Sequence, residues 1–556
     1  MTNIKSKDTV TFQDRCIALR PILGKQVDQI WQCYLFQDED GKFELEQQLE
    51  LMVNSALNTD VQDKAPVFPP PTAEVAAGEI ALGDVEYNHK PYCPFGLRKD
   101  ELMKHVGLFG QTGTGKTNAA HLLASQIHKL GTPIWVLEFK RGWRELRALP
   151  EFQDLLVFTV GRNDIAPISF NPLIPVEGVD PHTWIKKISH TISNAFFLGQ
   201  GVLYLLEVVL AKLYEEYGIF EGKPERYPTF RDVLRMLQNY PIRSGRETLW
   251  LSSALRAIHS LCFGQMDRIV NAQGNDSLKS LINHSVVFEM DSLGHEDKVF
   301  FTECVMLWAY EYYQARPVRE QLQLVMFLEE AHNIAGRQGR DDSGSKIIVD
   351  QMFRQSREYG IGLVIIDQMP SAISRTALAN VHCLIAMGVK EKADAVALTG
   401  SMLLDREQGD MLGRLSLGSA IVKLQRKGLI DPFILKTPLM PVKKGTMSDD
   451  MIRDMMQVYV RPVEHSGEAS HSTSQPKLSE SEMALLVDVA IMPDSGVVAR
   501  YTRCKLSGRQ GDKAKRSLIE MGFIEEVEQL TPRGRSKMIR LTEKGTSFLE
   551  ARPSEI

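Results

Sequence analysis

Residues 105–117 read HVGLFGQTGTGKT, an apolar run followed by a glycine-rich loop that ends in a lysine and a threonine. The run HVGLF is typical of a buried strand, and apolar residues recur at helical spacing in KTNAAHLLASQIHKL, at 116–130. Residues 110–117 fit the pattern G-x-x-x-x-G-K-[ST], which requires this strand and this helix on either side. The stretch therefore predicts an α/β fold in which a phosphate-binding loop joins a strand to a helix.

The glycines of this loop indicate a polyphosphate ligand. Gly110, Gly113 and Gly115 let the backbone curl so that successive N–H groups face the phosphates, with the start of the helix behind them. Lys116 is expected to neutralise the β and γ phosphates of ATP, and Thr117 to place its hydroxyl on Mg²⁺. The predicted ligand-binding residues are Gly110, Gln111, Thr112, Gly113, Thr114, Gly115, Lys116, Thr117 and Asn118. The alternative is a glycine-rich turn that only connects a strand to a helix.

A second apolar run, within LQLVMFLEEAHNIA at 322–335, ends in two adjacent glutamates. Acidic residues at the end of a strand in the same α/β domain are typical of a Walker B motif. We expect Glu329 to hold Mg²⁺, directly or through water, and Glu330 to orient and deprotonate the attacking water. The alternative is that both glutamates begin a solvated helix.

Three further positions are candidates for the same chemistry. Gln368 ends the strand-like run IGLVIIDQ, where its amide could sense the γ phosphate or hold the water. Arg357, preferred over Arg354, could stabilise transition-state charge in a neighbouring subunit's site. His332 could couple the site to DNA or to a neighbour. The alternative for Gln368 is an ordinary polar strand end. For the two arginines it is surface salt bridging, and for His332 it is a hydrogen-bonded histidine in a turn.

Eight short apolar runs separated by helical stretches predict a mostly parallel sheet with helices on both faces. The runs are 105–109, 133–139, 155–161, 285–291, 322–330, 361–368, 383–389 and 419–424. A long helical insertion is predicted at about 180–284, between the third run and the fourth.

The 556 residues are too many for one core, so we predict several domains. Residues 1–80 form a predicted helical segment, and 81–445 the predicted P-loop ATPase domain. The small polar residues of 446–476 predict a flexible linker. Residues 477–556 predict a winged helix-turn-helix domain, because helices precede two short strands around a basic turn.

The charge, the cysteines and the apolar runs of the chain indicate which classes of protein are excluded. The net charge of -5 excludes a uniformly basic nucleic-acid coat, although a local basic surface is compatible with it. The seven cysteines are scattered without a CxxC pair, which indicates free thiols in a reducing cytosol. The chain begins without a signal-peptide pattern, and its most apolar run, 201–213, is short and contains Glu207. We expect a cytoplasmic protein without a membrane anchor.

The C-terminal region is basic within this acidic chain. Between Arg500 and Lys544 there are 12 Lys or Arg residues against six Asp or Glu, which supports nucleic-acid contact. The basic residues expected on the recognition helix and the wing are Arg509, Lys513, Arg516, Arg533, Arg535 and Lys537. The glycine-rich loop 336–346 adds Arg337, Arg340 and Lys346, which could track phosphates. A protein-binding role for the C-terminal domain and a purely connecting role for the loop are the alternatives.

Three stretches, HVGLFGQTGTGKTN, FLEEAHNIA and RQSREYGIGLVIIDQMPS, together resemble the HerA branch of the HerA and FtsK superfamily of RecA-like motor ATPases. The resemblance covers about residues 80–440. It implies a RecA-like core in a homohexameric ring that threads double-stranded DNA, with ATP bound between subunits. The resemblance also implies a role for six residues. Lys116 and Thr117 would bind phosphate and magnesium, Glu329 would hold the metal, and Glu330 would activate water. Gln368 would act as a sensor, and Arg357 would act in trans.

Two features depart from that family pattern. HerA proteins usually begin with a small β-barrel, whereas residues 1–80 here have a helical pattern. The predicted winged helix is not a required part of the family, and by analogy it suggests a specialised member of a phage-defence operon.

The leading hypothesis is an ATP-driven DNA translocase or helicase that works with a nuclease or another defence effector. A conjugation-type secretion ATPase, which shares the core, is one alternative. The other is a scaffold whose ATP binding activates a partner effector without translocation.

Overall fold

The computed structural model describes residues 12–13, 16, 26–57, 67–336 except 223, 243 and 275, 347–459 except 430, and 478–550 except 494, 532 and 533. The chain divides into two compact units, Met1–Arg461 and Pro462–Ile556. The glycine-rich loop and the paired glutamates both belong to the larger unit.

Eleven strands of the larger unit form one sheet within the described residues. Their bounds are β1 (Ile80–Tyr87), β2 (Lys90–Leu97), β3 (Val106–Phe109), β4 (Ile134–Glu138), β5 (Leu156–Thr159), β6 (Val286–Glu289), β7 (Leu324–Glu329), β8 (Ile361–Asp367), β9 (Cys383–Ala386), β10 (Ser419–Leu424) and β11 (Phe433–Lys436). Their order is β2-β1-β11-β10-β9-β3-β8-β7-β4-β6-β5. The strands from β9 to β5 pair in parallel, and the other four extend one edge by antiparallel pairing.

The mostly parallel sheet confirms the predicted fold class. Each of the eight predicted apolar runs contains one strand, from β3 to β10. All residues of β3, β4, β6 and β8 are buried, as expected for parallel strands that are covered on both faces. Sequence analysis missed β1, β2 and β11. Pro91 and Pro94 break the strand pattern of β2, which can hold them because it lies at the edge of the sheet.

In the described part of the segment between β5 and β6, where the helical insertion is predicted, the chain forms six helices. Their bounds are Pro181–Ala195, Gln200–Glu216, Phe230–Gln238, Gly245–Leu261, Gly264–Val270 and Asp276–Ser280. The other helices of the larger unit are Gln26–Leu35, Glu39–Leu57, Ala73–Ala76, Lys99–Leu102, Lys116–Lys129, His295–Gln314, His332–Ala335, Ile347–Gln355, Arg375–Asn380, Lys392–Met402, Arg406–Met411 and Asp449–Met456, with 3-10 helices at Arg144–Ala148, Pro150–Phe152 and Pro370–Ala372.

The long helix His295–Gln314 joins the insertion to the sheet. The ring centroid of its Phe301 lies 5.7 Å from that of Phe288 on β6. The neighbouring Phe300 lies 5.9 Å from Phe230, which belongs to the insertion. The insertion therefore shares one hydrophobic core with the sheet.

The carboxyl ends of the central parallel strands form one edge of the sheet. Phe109, at the end of β3, pairs with Asp367 of β8, and Ile366 of β8 pairs with Glu329, at the end of β7. Since β8 lies between β3 and β7, the segments that follow these three strands begin at the same level. Ligands of α/β sheets bind outside such an edge, which places the glycine-rich loop and the paired glutamates together.

Within the described residues, the smaller unit consists of three helices, a hairpin and a final helix. Its elements are the helices Glu480–Ile491, Val497–Arg503 and Gly508–Glu520, the strands β12 (Ile524–Thr531) and β13 (Gly534–Leu541), and the helix Glu543–Glu550. Its own core includes Leu486, Leu518 and Phe523. The predicted winged helix-turn-helix has this order of elements, and that assignment stays a prediction, as do the other domain boundaries.

The described part of the N-terminal segment that the sequence predicts to be helical contains the helices Gln26–Leu35, Glu39–Leu57 and Ala73–Ala76. Among the described residues, the helices are too short or too polar to cross a membrane.

Candidate nucleotide-binding and hydrolysis site

The glycine-rich loop adopts a backbone that favours glycine. Gly110, Gly113 and Gly115 have φ angles of 146°, 85° and 109°, values that L side chains rarely adopt. A Cβ atom on Gly110 would also lie 2.8 Å from the Cβ of Met387. The loop leads directly into the helix Lys116–Lys129, so the start of the helix lies beside the loop, as an anion site requires.

Hydrogen bonds fix the loop to the neighbouring strands. The N–H of Gln111 donates to the carbonyl of Gly388, 3.0 Å away, and the Thr114 hydroxyl donates to the carbonyl of Gln111 at 2.8 Å. The Asn118 side chain, which the sequence places in the ligand site, instead holds a later segment. Its amide nitrogen donates to the carbonyl of Pro438 and its oxygen accepts from the N–H of Met440, both at 2.8 Å.

Lys116 supplies a buried cation at the start of the helix. Only 8% of the residue is exposed, and burial lowers its pKa to about 8, partly opposed by the charges of Glu330 and Asp367. Among the described residues, Lys116 takes part in no ion pair within 4.0 Å. The ammonium group is therefore available to an anionic ligand, as predicted for a lysine that binds phosphates.

A chain of hydrogen bonds links the glycine-rich loop to the acidic strand end. The hydroxyl of Thr112 donates to the Gln368 side-chain oxygen at 2.6 Å. The nitrogen of the same side chain donates to a carboxylate oxygen of Glu330 at 2.8 Å. Lys140, just after β4, donates to this oxygen at 2.6 Å. The structure thus brings together three predicted residues from β3, β8 and β7, and adds a lysine that sequence analysis missed.

Glu329 is held by a neighbouring tryptophan. Its carboxylate accepts a hydrogen bond from the indole N–H of Trp143 at 2.9 Å, and burial, with the nearby charge of Glu330, raises its pKa. The Thr117 hydroxyl is exposed and, within the described residues, makes no hydrogen bond to protein. A hydroxyl and carboxylates at one sheet edge are the hard oxygen donors that Mg²⁺ prefers, so the residues present fit the predicted ion.

Asp367, which sequence analysis missed, fixes the turn after the paired glutamates. This buried carboxylate accepts from the backbone N–H of His332 at 2.6 Å and from the N–H of Met369 at 2.8 Å. The Nδ1 atom of His332 lies 2.9 Å from Asp367 and 3.8 Å from Glu330. Glu330 itself has a φ of 46°, a conformation that costs a residue other than glycine about 1–2 kcal/mol. An acid inside the apolar run IGLVIID is the sequence signal that could have identified Asp367.

Substitution Asp367→Asn should slow hydrolysis without weakening ATP binding. The amide keeps the shape but loses the charge and one acceptor oxygen, so the turn that positions Glu330 loosens. We expect the turnover number for ATP to fall by about 10-fold, the effect of losing one hydrogen bond to a charged group. The dissociation constant for ATP should stay within about threefold, because Asp367 lies behind Glu330.

Steady-state hydrolysis and equilibrium ATP binding check this expectation. Asp405→Asn is the matched control, because Asp405 also accepts a backbone N–H, that of Gln408, but does so in the exposed cap of another helix. An unchanged turnover number in Asp367→Asn would show that Glu330 does not depend on this carboxylate.

The two candidate arginines lie away from the site of their own chain. Arg354 and Arg357 are exposed and precede β8, whose seven residues separate them from the carboxyl edge by about 20 Å. They line a cleft of about 1020 Å³ together with Lys104 and Arg375. Any contact of Arg357 with a triphosphate must therefore involve another subunit's loop.

The predicted DNA contacts are described only in part. Arg509, Lys513 and Arg516 are exposed on one face of the helix Gly508–Glu520. Arg500 and Arg503, in contrast, pair with Asp488 at 3.1 and 2.8 Å and stabilise the unit itself. Four predicted contacts lie outside the described residues, namely Arg337, Arg340, Lys346 and Arg533, and the side chains of Arg535 and Lys537 are not described.

Comparisons with known sequences find similarity to HerA helicases. The profile of the family described as "Helicase HerA, central domain" matches residues 80–143, which include the glycine-rich loop and Lys140. The chain is 19% identical over 371 residues to the DNA double-strand break repair helicase HerA of Saccharolobus solfataricus, and 23% identical over 369 residues to that of Pyrococcus furiosus. These matches cover 65% and 60% of this chain, and 69% and 65% of the relatives.

Solved structures share the fold at low sequence identity. VirB4 of Thermoanaerobacter pseudethanolicus superposes with a TM-score of 0.51 at 15% identity, over 66% of this chain and 97% of that protein. The plasmid coupling protein TrwB, in complex with ADP and Mg²⁺, gives 0.50 at 11% identity, over 69% of this chain and 97% of that protein. The sheet and its helices therefore share the fold of these two proteins.

Proposed function

Since the chain belongs to the HerA and FtsK superfamily of P-loop ATPases, we propose that it hydrolyses ATP to move along double-stranded DNA, as a ring of six subunits. The observation that carries the proposal is the hydrogen-bonded path from Thr112 through Gln368 to Glu330. It joins the loop that would hold the γ phosphate to the carboxylate that would activate water. The alternatives were a glycine-rich turn that only connects a strand to a helix and a glutamate pair that begins a solvated helix. Neither alternative requires these hydrogen bonds.

The residues divide the work of phosphoryl transfer to water. The loop amides and Lys116 bind the triphosphate, while Gln368 reports its presence to Glu330. Glu330 orients a water molecule and accepts its proton as the oxygen attacks the γ phosphorus, which leaves ADP and phosphate. Thr117 and Glu329 would hold Mg²⁺, which when bound neutralises charge on the β and γ phosphates.

The position of Arg357 favours catalysis between subunits. In a ring, each subunit presents one surface to its neighbour and receives a different surface from the other side. Arg357 and the glycine-rich loop lie at opposite ends of β8 in one chain, so a ring could bring them together across an interface.

Substitution Arg357→Ala should reduce ATP turnover by about 100-fold, the usual cost of removing one donor that stabilises transition-state charge. A mixture of Arg357→Ala and Lys116→Ala chains should regain part of the activity, because some interfaces then combine an intact arginine with an intact loop. Arg354→Ala is the matched control and should retain most of the turnover. Failure of the mixture to exceed the sum of its components would contradict action in trans.

The DNA partner is supported by charge and by the relatives' names. The exposed basic face of Arg509, Lys513 and Arg516 suits phosphate contacts, and both curated relatives are named as DNA helicases. A nuclease or another phage-defence effector is the further partner that we propose, by analogy with specialised members of the superfamily.

One experiment separates this function from the alternatives. ATP hydrolysis is measured with and without double-stranded DNA, alongside the mass of the assembled particle. We expect a hexamer whose ATP hydrolysis is stimulated by the duplex. On a duplex that carries a bound third strand, the hexamer should also displace that strand as it moves. A secretion ATPase should show no stimulation by the duplex, whereas a scaffold should activate its effector even as Glu330→Gln protein, which binds ATP without hydrolysing it, and show no movement.

A further inference from the structure

Two exposed leucines are carried by the open end of the β10–β11 hairpin. Leu417, 71% exposed, precedes β10, and Leu439, 88% exposed, follows β11. Ser419 pairs with Lys436 where the two strands end, so the segments that bear the leucines continue side by side. Both side chains therefore leave the same end of one hairpin.

This end of the hairpin lies against the glycine-rich loop. The N–H of Gly418 donates to the carbonyl of Thr114 at 3.2 Å. A Cβ atom on Gly115 would lie 3.5 Å from the Cα of Gly418. On the other strand, the Asn118 side chain bonds to the residues on either side of Leu439. The leucines thus flank the start of the helix Lys116–Lys129.

The two segments are held by hydrogen bonds even though the leucines are exposed. The ammonium group of Lys436 donates to the carbonyl of Leu417 at 2.6 Å. The hydroxyl of Thr437 donates to the carbonyl of Gly418 at 3.0 Å. The backbone that presents the apolar side chains is therefore held by hydrogen bonds within the protein, and such preorganisation lowers the entropic cost of binding.

We infer that Leu417 and Leu439 contact the nucleobase of the bound nucleoside triphosphate. The inference rests on the proposed function, in which residues 110–117 hold the phosphates. The base is joined to the phosphates by a single ribose, so it must lie next to the loop. The surface next to the loop is formed by the first turn of the helix Lys116–Lys129 and by the hairpin segments beside it. A nucleobase presents flat, weakly polar faces, and small-molecule sites are lined mainly by apolar side chains. Asn118 is then a positioning residue, which keeps the segment of Leu439 beside the nucleotide.

Equilibrium binding to the full chain tests this inference without requiring hydrolysis. The probes are the β,γ-imido analogue of ATP and inorganic tripolyphosphate, which has no base. In the double substitution Leu417→Ala and Leu439→Ala, the analogue should bind about 10-fold more weakly, from the loss of two apolar contacts. Tripolyphosphate should bind within about twofold of its parental affinity, because the loop and Lys116 are intact. Leu249→Ala, an exposed leucine of the helical insertion, is the matched control and should change neither value.

Three outcomes would overturn the inference. They are unchanged affinity for the analogue, an equal loss for both probes, and a change in particle mass, which would assign the leucines to a contact between subunits. The proposed function fails separately, if the parental chain binds the analogue but does not hydrolyse ATP.

Discussion

Replacement of Glu330 by Gln is expected to lower the turnover number for ATP by about 1000-fold, while ATP stays bound. The amide cannot accept the proton of the attacking water, and general bases contribute typically 10²–10⁴-fold. The shape of the side chain is preserved, and Gln368 and Lys140 still have an oxygen to which they can donate. Binding should therefore be affected far less than chemistry.

The measurement is a single-turnover assay with radiolabelled ATP, followed by separation of free and bound nucleotide. Glu221→Gln, an exposed glutamate next to the insertion helix Gln200–Glu216, is the matched control and should hydrolyse ATP at the parental rate. Parental turnover by the Glu330→Gln protein would remove Glu330 from the mechanism, whatever its effect on stability.

Replacement of Lys116 by Ala is expected to reduce kcat/KM for ATP by about 1000-fold. The residue supplies a buried positive charge among the loop amides, and the loss of one such group at developing charge costs about 10²–10³ in rate. Unlike Glu330→Gln, this substitution should weaken ATP binding as well, since the charge faces the phosphates before the reaction. Lys212→Ala, an exposed lysine of the insertion helix Gln200–Glu216, is the matched control.

The pH dependence of binding gives this prediction a second readout. Burial lowers the pKa of Lys116 to about 8, so the side chain is charged below that pH and loses its charge as the pH rises through it. ATP affinity of the parental protein should therefore fall above about pH 8, and binding there should take up protons. The Lys116→Ala protein should lack this step, and its persistence would assign the titration to another group.

Local patterns predicted much of the fold, and they named most residues that the structure brings together in the candidate site. The strand, loop and helix around Lys116 are contiguous, so their spacing alone predicts a phosphate loop, whose role stays a prediction. The same holds for Glu330 and Gln368, each of which ends a run whose apolar character predicts a buried strand. The parallel sheet followed because its strands are largely apolar, whereas β1 carries polar residues inside the strand and β2 carries two prolines. The short strand β11, FILK, was also missed.

Residues that depend on strand order could not be predicted in this way. Asp367 and Lys140 reach Glu330 only because β8 and β4 lie on either side of β7, an order that periodicity does not encode. Asn118 shows that a position next to a motif in the sequence does not determine what its side chain contacts. It continues the phosphate-loop motif along the chain, yet its side chain is engaged by residues more than 300 positions later.

A structure of the Glu330→Gln protein with Mg²⁺ and ATP tests the central claim most directly. We expect the triphosphate to lie within residues 110–117, with the Lys116 ammonium group and the residue 330 side chain both within contact distance of the γ phosphate or its attacking water. A nucleotide bound elsewhere, or a γ phosphate remote from residue 330, would contradict the assignment of this sheet edge as the site of ATP hydrolysis.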